Sequence, residues 1–404
     1  MTTNRIVQVL LSALIAGSLW TAPVFAGDYD PGASDTKIRI GNTIPYSGPL
    51  SAYGTVGRAI ASYFDMINAN GGINGRTIEF VTLDDGYSPP KTVEQVRRLI
   101  EHEEVLLLFS NAGTPTNSAV HKYVNARKMP HLFLYTGASK WAQPEAFPWT
   151  IGYWPAYSTE GEIYANYILE NYPDAKIGIL YQNDDYGKDY LDGLRAGLGD
   201  RADEMIVAEQ PFETTDPTID AHISILKNSG ATVFFDVATA KHAAQAIRQA
   251  YDVGWHPIHF LNNVSTSVDV VLKPAGLDKA KGILTAAFLK DPTDPQWAEA
   301  PDYLAWREWM GAYYPEGSTD DIYNAYGYGV AFAMAQVLEQ CGDTLTRANV
   351  MKQVARLENL EVPMFLPGIR VNTSPTDFRP IEQLQLMRFN GEKWELFGEV
   401  IEAE

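Results

Sequence analysis

The amino-acid sequence predicts an α/β protein made of two doubly wound parallel-sheet lobes around a cleft. The chain has 404 residues, which is more than a single hydrophobic core usually organises. Short apolar segments alternate with helical segments from Lys37 onward, and this alternation is typical of a parallel sheet with helices on both faces. The alternation starts again near Ala175, which indicates a second sheet of the same kind.

The first lobe is predicted from four strand segments and the helices between them. The strands read KIRIGNTIP, RTIEFVTLDD, VLLLFS and PHLFLYT, and the helices are expected over about residues 50–70 and through KTVEQVRRLIEHE and NSAVHKYVNAR. These strands are short and rich in β-branched or aromatic residues, as strands buried on both faces are.

The second lobe is predicted from the strands AKIGILYQN, MIVAEQPF, ATVFFDVA and HPIHFLNN. Helical stretches follow, and then a hairpin that turns at Asn390 and Gly391. Neither lobe is complete without this later material, so we expect a hinge with several chain crossings. The predicted division assigns 27–150 plus about 282–362 to the N-terminal lobe. It assigns 151–281 plus about 363–404 to the C-terminal lobe.

Residues 1–26 have the features of a cleaved signal peptide. Arg5 precedes the apolar run IVQVLLSALIAGSLW, and the small residue Ala26 marks the expected cleavage point. The alternative is a membrane anchor, but the run is shorter than the ~20 residues that cross a bilayer. Cys341, the one cysteine, excludes an internal disulfide and lies far from a lipoprotein's lipidation position. The mature protein is therefore expected to be soluble in a bacterial periplasm.

The charge and the motifs exclude several functional classes. The formal net charge is -19, and it becomes -20 without residues 1–26, because these contain Arg5 and no acid. Nucleic acid is excluded as a partner, since phosphate binding needs clustered Lys and Arg. The sequence contains no GxGxxG, no GxxxxGK[ST] and no GxSxG. No cofactor is therefore expected.

Two groups of polar residues are candidates for metal binding or catalysis. His256 and His259 form the one close histidine pair, and three-residue spacing on a strand would place them on opposite faces, so we expect no metal site. Asp84 and Asp85 follow a strand, and a turn role is preferred to paired catalytic carboxylates. No nucleophile with a base is recognisable, so the protein is not expected to be an enzyme.

The loops after the strands offer neutral donors and aromatic rings instead. Ligands of open α/β sheets bind beyond the carboxyl ends of the strands, where helix N-termini and free N–H groups lie. The candidate donors for a carboxylate are Ser110, Thr114, Thr116, Thr136 and Ser139, with the backbone N–H groups around Gly113 and Gly137. The candidate rings that close over an apolar body are Tyr53, Trp154, Tyr157 and Tyr186.

From Lys37 nearly to its end, the chain resembles the periplasmic solute-binding proteins of ABC importers, of the leucine/isoleucine/valine-binding type. The resemblance rests on IRIGNTIPYSGPLSAYG, INANGGINGRTIEFVTLDDGYSPPKTVEQVRRLI, YTGAS and NDDYGKDYLDGL. It implies a type I, Venus-flytrap fold with three crossover strands, closure around a ligand by a hinge, and no catalysis. It also implies a monomer that delivers its ligand to a membrane permease.

The resemblance also implies site residues. The family's carboxylate site matches Gly113 and Thr114 together with Gly137, Ala138 and Ser139, while its aromatic lid matches Tyr53 and its second-lobe tyrosine matches Tyr186. In amino-acid-binding members a glutamate and a tyrosine hold the ligand's ammonium. Those places fall at about Val264 and Ala238 here. A buried ammonium without an anion costs several kcal/mol.

The ligand is therefore expected to be a small carboxylate without an ammonium, preferably an aromatic acid of the benzoate or hydroxycinnamate kind. Asn262 and Asn263 end a second-lobe strand and are candidates for reading a phenol hydroxyl. Branched-chain or other amino acids remain an alternative, with Asp236 or Asp184 as the ammonium partner. Urea or short amides, and a role as a soluble ligand sensor, also remain open.

Overall fold

A computed structural model describes residues 27–402 of the chain. The predicted signal peptide, residues 1–26, lies outside the described residues. Within 27–402, no helix has both the length and the apolar composition needed to span a bilayer. The architecture is α/β with two main sheets, as predicted.

The strands are β1 (Asp28–Tyr29), β2 (Lys37–Ile44), β3 (Thr77–Asp84), β4 (Leu107–Phe109), β5 (His131–Leu134), β6 (Thr150–Gly152), β7 (Ile177–Gln182), β8 (Ile206–Phe212), β9 (Val233–Val237), β10 (Ile258–Leu261), β11 (Leu284–Ala287), β12 (Thr344–Leu345), β13 (Gln383–Phe389) and β14 (Trp394–Glu402). The helices are α1 (Gly54–Ala69), α2 (Pro89–Glu101), α3 (Thr114–Ala126), α4 (Tyr157–Asn171), α5 (Asp185–Leu198), α6 (Ala202–Met205), α7 (Asp220–Asn228), α8 (Ala240–Asp252), α9 (Lys273–Ala275), α10 (Pro301–Tyr313), α11 (Ile322–Cys341) and α12 (Arg347–Val354).

The first sheet has the order β3-β2-β4-β5-β6, and all its neighbouring strands are parallel. The second has the order β14-β13-β11-β10-β9-β7-β8. Its strands from β8 to β11 are parallel, while β13 and β14 form the predicted antiparallel hairpin at one edge. The parallel strands of both sheets are covered by helices, which explains why their sequences are apolar almost throughout.

One strand lies near a predicted lobe boundary. The sequence-based division placed the start of the second N-terminal-lobe segment at about residue 282, but Leu284–Ala287 pairs with β10 and β13 inside the second sheet. The register of these strands therefore keeps β11 with the second lobe. Helix α11 packs against α1 of the first lobe, where Gly327 lies so close to Ala59 that a Cβ at Gly327 would be 2.7 Å from that side chain. The other boundaries stay predictions.

His256 and His259 were expected on opposite faces of a strand, but both line the same groove. His256 precedes β10, which begins at Ile258, so the alternation of side chains along a strand does not apply to it. Both rings line a surface groove at the amino-terminal end of β10, on the opposite edge of the sheet from the cleft.

Candidate functional site

A small cavity lies where the carboxyl ends of the two sheets face each other. Its volume is about 40 Å³, which is room for about three water molecules. It is lined by Leu50, Tyr53, Tyr87, Ala112, Gly113, Thr114 and Tyr135 of the first lobe and by Tyr157, Tyr186, Thr239 and Val264 of the second. Both lobes contribute, and none of these lining residues is charged. The structure is therefore a closed form with an uncharged interior.

Four helices begin at this cavity. Thr114 is the first residue of α3, Tyr157 is the first of α4, Tyr186 lies in the first turn of α5, and Thr239 immediately precedes α8. Helix N-termini carry unpaired N–H groups and partial positive charge. The residues that immediately precede α3, α4 and α8 form no side-chain cap with these groups, and the Tyr53 hydroxyl accepts from the first N–H of α8 alone. The cavity is thus electrostatically suited to an anion.

The corner at Gly113 and Thr114 has a specific geometry. Gly113 precedes α3 with φ of 91°, and a Cβ there would lie 2.3 Å from the Tyr87 ring, so only glycine fits. The hydroxyls of Thr114 and Thr136 share a hydrogen bond of 2.6 Å. One hydroxyl hydrogen of that pair is left to donate to a ligand, beside the open end of α3.

Tyr53 connects the two lobes across the cavity. Its hydroxyl accepts a hydrogen bond of 3.0 Å from the Ala240 N–H at the start of α8, and it lies 3.5 Å from the Val264 carbonyl oxygen. The Tyr323 hydroxyl donates to the same carbonyl at 2.8 Å. Val264, the position to which the resemblance assigns the family's ammonium partner, therefore has a carbonyl oxygen that is already paired.

The predicted site residues fall into three groups. Those that line the cavity are Tyr53, Gly113, Thr114, Tyr157 and Tyr186. Those that line two smaller neighbouring cavities of about 20 and 10 Å³ are Thr136, Gly137, Ala138 and Ser139 in the first and Asn263 in the second, with Trp154 in both. Those that line none of these three cavities are Ser110, Asp236 and Asn262.

Ser139 is engaged by a carboxylate of the protein itself. Its N–H and its hydroxyl donate to Asp189 of α5 at 3.0 and 2.9 Å. Burial raises the pKa of Asp189 to about 6. In this closed form the Ser139 donors therefore join the lobes and are not available to a ligand.

The two asparagines at the end of β10 differ in role. The Asn262 amide donates to the carbonyl oxygens of Asp236 and Ala238, and so fixes the path of the chain after β9. Asn263 accepts from the Trp154 indole N–H at 2.5 Å, and its buried Nδ2 has no partner among the described residues. Asn263 is thus the one with a donor left for a ligand.

Neither acid considered as an ammonium partner lines the cavity. Asp184 caps α5 by accepting from the N–H groups of Tyr186 and Gly187, and burial raises its pKa to about 6. Asp236 is fully buried in β9, and its Oδ2 lies 3.3 Å from His259 Nε2. Burial also raises the pKa of Asp236. Both carboxylates serve partners outside the cavity.

Sequence reasoning missed Tyr87 and Tyr135. Tyr135 immediately follows β5, and its hydroxyl, like that of Tyr186, is buried without a partner among the described residues. Tyr87 comes from the DDGY turn, where its φ is 59°. Such a conformation is uncommon for a bulky residue and is a feature of functional sites.

The turn that holds Tyr87 is built by the two aspartates. Asp84 accepts from the N–H groups of Tyr46, Ser47 and Gly86, and Asp85 accepts from the Tyr87 N–H at 2.9 Å. These bonds agree with the turn role predicted for both carboxylates. The sequence therefore held a clue to Tyr87: this residue follows two aspartates at the end of a strand, where a hydrogen-bonded turn can direct its ring into the cleft.

Comparison with known proteins gives a consistent result. A family model described as "Periplasmic binding protein" matches residues 37–393. The Leu/Ile/Val-binding protein homolog 1 of Brucella abortus is 24% identical over 356 residues, which is 85% of this chain and 86% of that protein. The leucine-, isoleucine-, valine-, threonine-, and alanine-binding protein of Pseudomonas aeruginosa is 24% identical over 72% of this chain and 75% of its own length.

Solved structures share the fold. A branched-chain amino acid ABC transporter protein from Thermus thermophilus with bound valine superposes with a TM-score of 0.81 at 16% identity, covering 91% of this chain and 97% of that one. A fatty acid ABC transporter substrate-binding protein from Thermomonospora curvata has a TM-score of 0.78 at 21% identity, with 94% and 95% covered. At these identities the likeness shows the fold and leaves the ligand open.

Replacing Tyr53 by Phe is expected to favour the open form of the ligand-free protein. The change removes the hydroxyl that joins α8 to the first lobe, a loss of about 1 kcal/mol that shifts the open-to-closed ratio about fivefold. Small-angle X-ray scattering should show a larger radius of gyration. The matched control is Tyr328→Phe, since Tyr328 lies outside the cavity lining. Equal radii for both variants would contradict the bridging role.

The free energy of unfolding is expected to rise as pH falls from about 7.5 to about 5. Burial raises the pKa of Glu160 and Asp321 to about 7, and of Asp189 and Asp291 to about 6, so the folded state takes up protons that the unfolded state does not hold. Two buried histidines, His121 and His131, have pKa values lowered to about 4 and about 3 and act in the opposite direction, but the four carboxyl groups outweigh them. The stability that the carboxyl groups contribute is complete below their unfolded-state pKa values and is lost as pH rises through the folded ones. Urea unfolding across this range measures the slope.

A variant isolates one of these groups. Asp321 Oδ1 accepts from the Ser267 hydroxyl and from the Tyr323 N–H, and Asp321→Asn keeps an oxygen at that position. The variant should show a smaller pH dependence between about pH 7.5 and 6. Asp220→Asn, at an exposed carboxylate, serves as the control and should leave the slope unchanged. An unfolding free energy that falls on acidification through this range would refute the prediction.

Proposed function

Because the chain belongs to the periplasmic binding protein family, we propose that it binds a small carboxylate between its lobes and delivers it to the membrane permease of an ABC importer. Members of this family are substrate-binding components of transport systems. The proposed ligand is an aromatic acid of the benzoate or hydroxycinnamate kind. The mature protein is proposed to act in the periplasm as a monomer, without a cofactor.

The observation that carries the ligand class is the charge balance of the cavity. Four helix N-termini favour a negative group, and Thr114 with Thr136 supplies hydroxyl donors. No acid lines the cavity to neutralise a positive group. A zwitterionic amino acid would therefore bury its ammonium without a counter-ion, which costs several kcal/mol.

The residues that line the cavity favour a flat apolar body, and because about 40 Å³ is less than a benzoate needs, the lobes must separate further to admit it. Its walls include five tyrosines, and Tyr157 stacks on Tyr190 behind it with ring centroids 4.7 Å apart. Aromatic rings pack well against such walls in edge-to-face or offset geometry. The unpartnered hydroxyls of Tyr135 and Tyr186 can bond a phenol or a second oxygen of the ligand. A hydroxylated aromatic acid uses all of these groups.

The alternative is a branched-chain or other amino acid, and the names of the relatives favour it. Under this alternative Asp184, which precedes the cavity-lining Tyr186 by two residues, would have to leave the N-terminus of α5. That exchange breaks its bonds to the N–H groups of Tyr186 and Gly187. A soluble sensor would use the same cleft, and capture of a kinase in place of a permease would identify it.

A thermal-shift screen separates the ligand classes. Benzoate and 4-hydroxycinnamate at ~100 times their dissociation constants should each add ~2.7 kcal/mol to the unfolding free energy, whereas leucine, valine and urea should add nothing. Stabilisation by leucine without stabilisation by either aromatic acid would reject the aromatic-acid proposal and support the amino-acid alternative.

The same screen on a variant tests the carboxylate corner. Thr114→Val keeps the shape of the side chain and removes its hydroxyl, so affinity for the best aromatic acid should fall by ~1 to 3 kcal/mol. Thr344→Val, at an exposed threonine in β12, is the control. Equal affinities for the parent and Thr114→Val would place the ligand's carboxylate elsewhere.

A further inference from the structure

We infer that a groove on the outer edge of the second lobe is a second binding site, for a small planar organic anion. The groove has a volume of about 400 Å³, within the range of small-molecule sites. It lies at the amino-terminal ends of β10 and β11, whereas the interlobe cavity lies at the carboxyl ends of the second-sheet strands. The inference therefore stands independently of the ligand proposed for the cleft.

The base of the groove contains a buried histidine whose second nitrogen is unused. The His259 side chain is 9% exposed and lines the groove. Its Nε2 is 3.3 Å from Asp236 Oδ2, and the ring packs on Phe234 with centroids 4.4 Å apart. With Nε2 committed to Asp236, Nδ1 is the ring atom left for the groove.

Asp236 determines what that nitrogen offers. The carboxyl is completely buried, and its Oδ1 has no partner among the described residues. A bare carboxylate in such a place costs more than a net-neutral pair with its histidine. When Asp236 holds a proton on Oδ2, that O–H donates to Nε2, and Nδ1 then carries the remaining ring hydrogen, which can donate to a ligand in the groove. In that state the groove offers a hydrogen-bond donor at its base, beside the cations of its rim.

The cations at the rim favour an anion. Lys281 and Arg388 line the groove and are exposed, and neither forms an ion pair among the described residues. Lys279 is occupied by Asp252 at 2.5 Å, and Asp278 is the one acid in the lining. A local excess of positive charge on a chain of net charge -19 runs against the trend of the whole surface.

The aromatic walls select a planar body. Tyr172, Tyr251 and Trp255 line the groove, and Tyr251 is 42% exposed, which is unusual for a large hydrophobic residue of this protein. Trp255 is 7% exposed and packs on Phe234, so the ring surface open to a ligand is that of Tyr251 with part of Tyr172. A flat ring can pack there with its carboxylate toward the rim cations.

The test uses the mature chain, labelled on its histidine rings, with benzoate as the probe. NMR should show saturable shifts of the His259 ring signals, assigned with His259→Phe, and calorimetry should show more than one equivalent bound if the cleft also takes benzoate. Cyclohexylammonium, a cation of similar size, should shift nothing at His259. Inorganic phosphate that shifts His259 as strongly as benzoate would overturn the preference for a planar body.

Variants locate the anion. Lys281→Glu combined with Arg388→Glu should weaken the binding detected at His259 at least about tenfold, as should His259→Phe when binding is followed by calorimetry. The control, Lys122→Glu combined with Lys352→Glu, has the same charge change at exposed lysines outside the groove and should bind as the parent does. Absence of any His259 shift at about 10 mM benzoate, a concentration that detects even millimolar affinity, would overturn the inference. Equal binding by the rim variant and the parent would also overturn it.

Discussion

A buried ion needs a partner of opposite charge or a hydrogen-bonding partner. The groups around the cleft of this protein are hydrogen-bond donors and helix N-termini, which suit a negative ion. Four helices direct their N-termini to a cavity of about 40 Å³, and no charged side chain lines it. The Thr114 and Thr136 hydroxyls add donors at one corner. Because desolvating an unpaired charge costs several kcal/mol, this arrangement is the basis of the proposal that the ligand is an anion with an apolar body. The aromatic walls and the closed geometry support the same proposal.

Closure of the lobes depends on contacts that surround the cavity. Tyr53 joins the first lobe to α8, and Ser139 joins it to Asp189 of α5. Lys140 forms an ion pair of 2.7 Å with Asp185 beside that contact. Exposed ion pairs contribute little, so the buried hydrogen bonds contribute more to closure than this ion pair does. A ligand stabilises this form only through contacts that it makes with both lobes at once.

Alternating strand and helix signals in the sequence predicted both sheets. The loops after strand ends predicted Tyr53, Gly113 and Thr114 as site residues, and these three line the cavity. Tyr87 was missed, because a positive φ in an aspartate turn is not visible in hydrophobic periodicity. Ser139 was assigned to the ligand because the partner that occupies it, Asp189, comes from another lobe.

The position of Asp236 was also beyond sequence reasoning, since strand alternation gives two faces without saying which one borders the cavity. A crystal structure of the protein purified without added solute tests the central claim most directly, because a bound ligand would show its own contacts. We predict a carboxylate within hydrogen-bonding distance of the Thr114 hydroxyl and no acidic side chain within about 4 Å of the ligand. A zwitterionic amino acid with its ammonium paired to Asp184 or Asp236 would contradict the account.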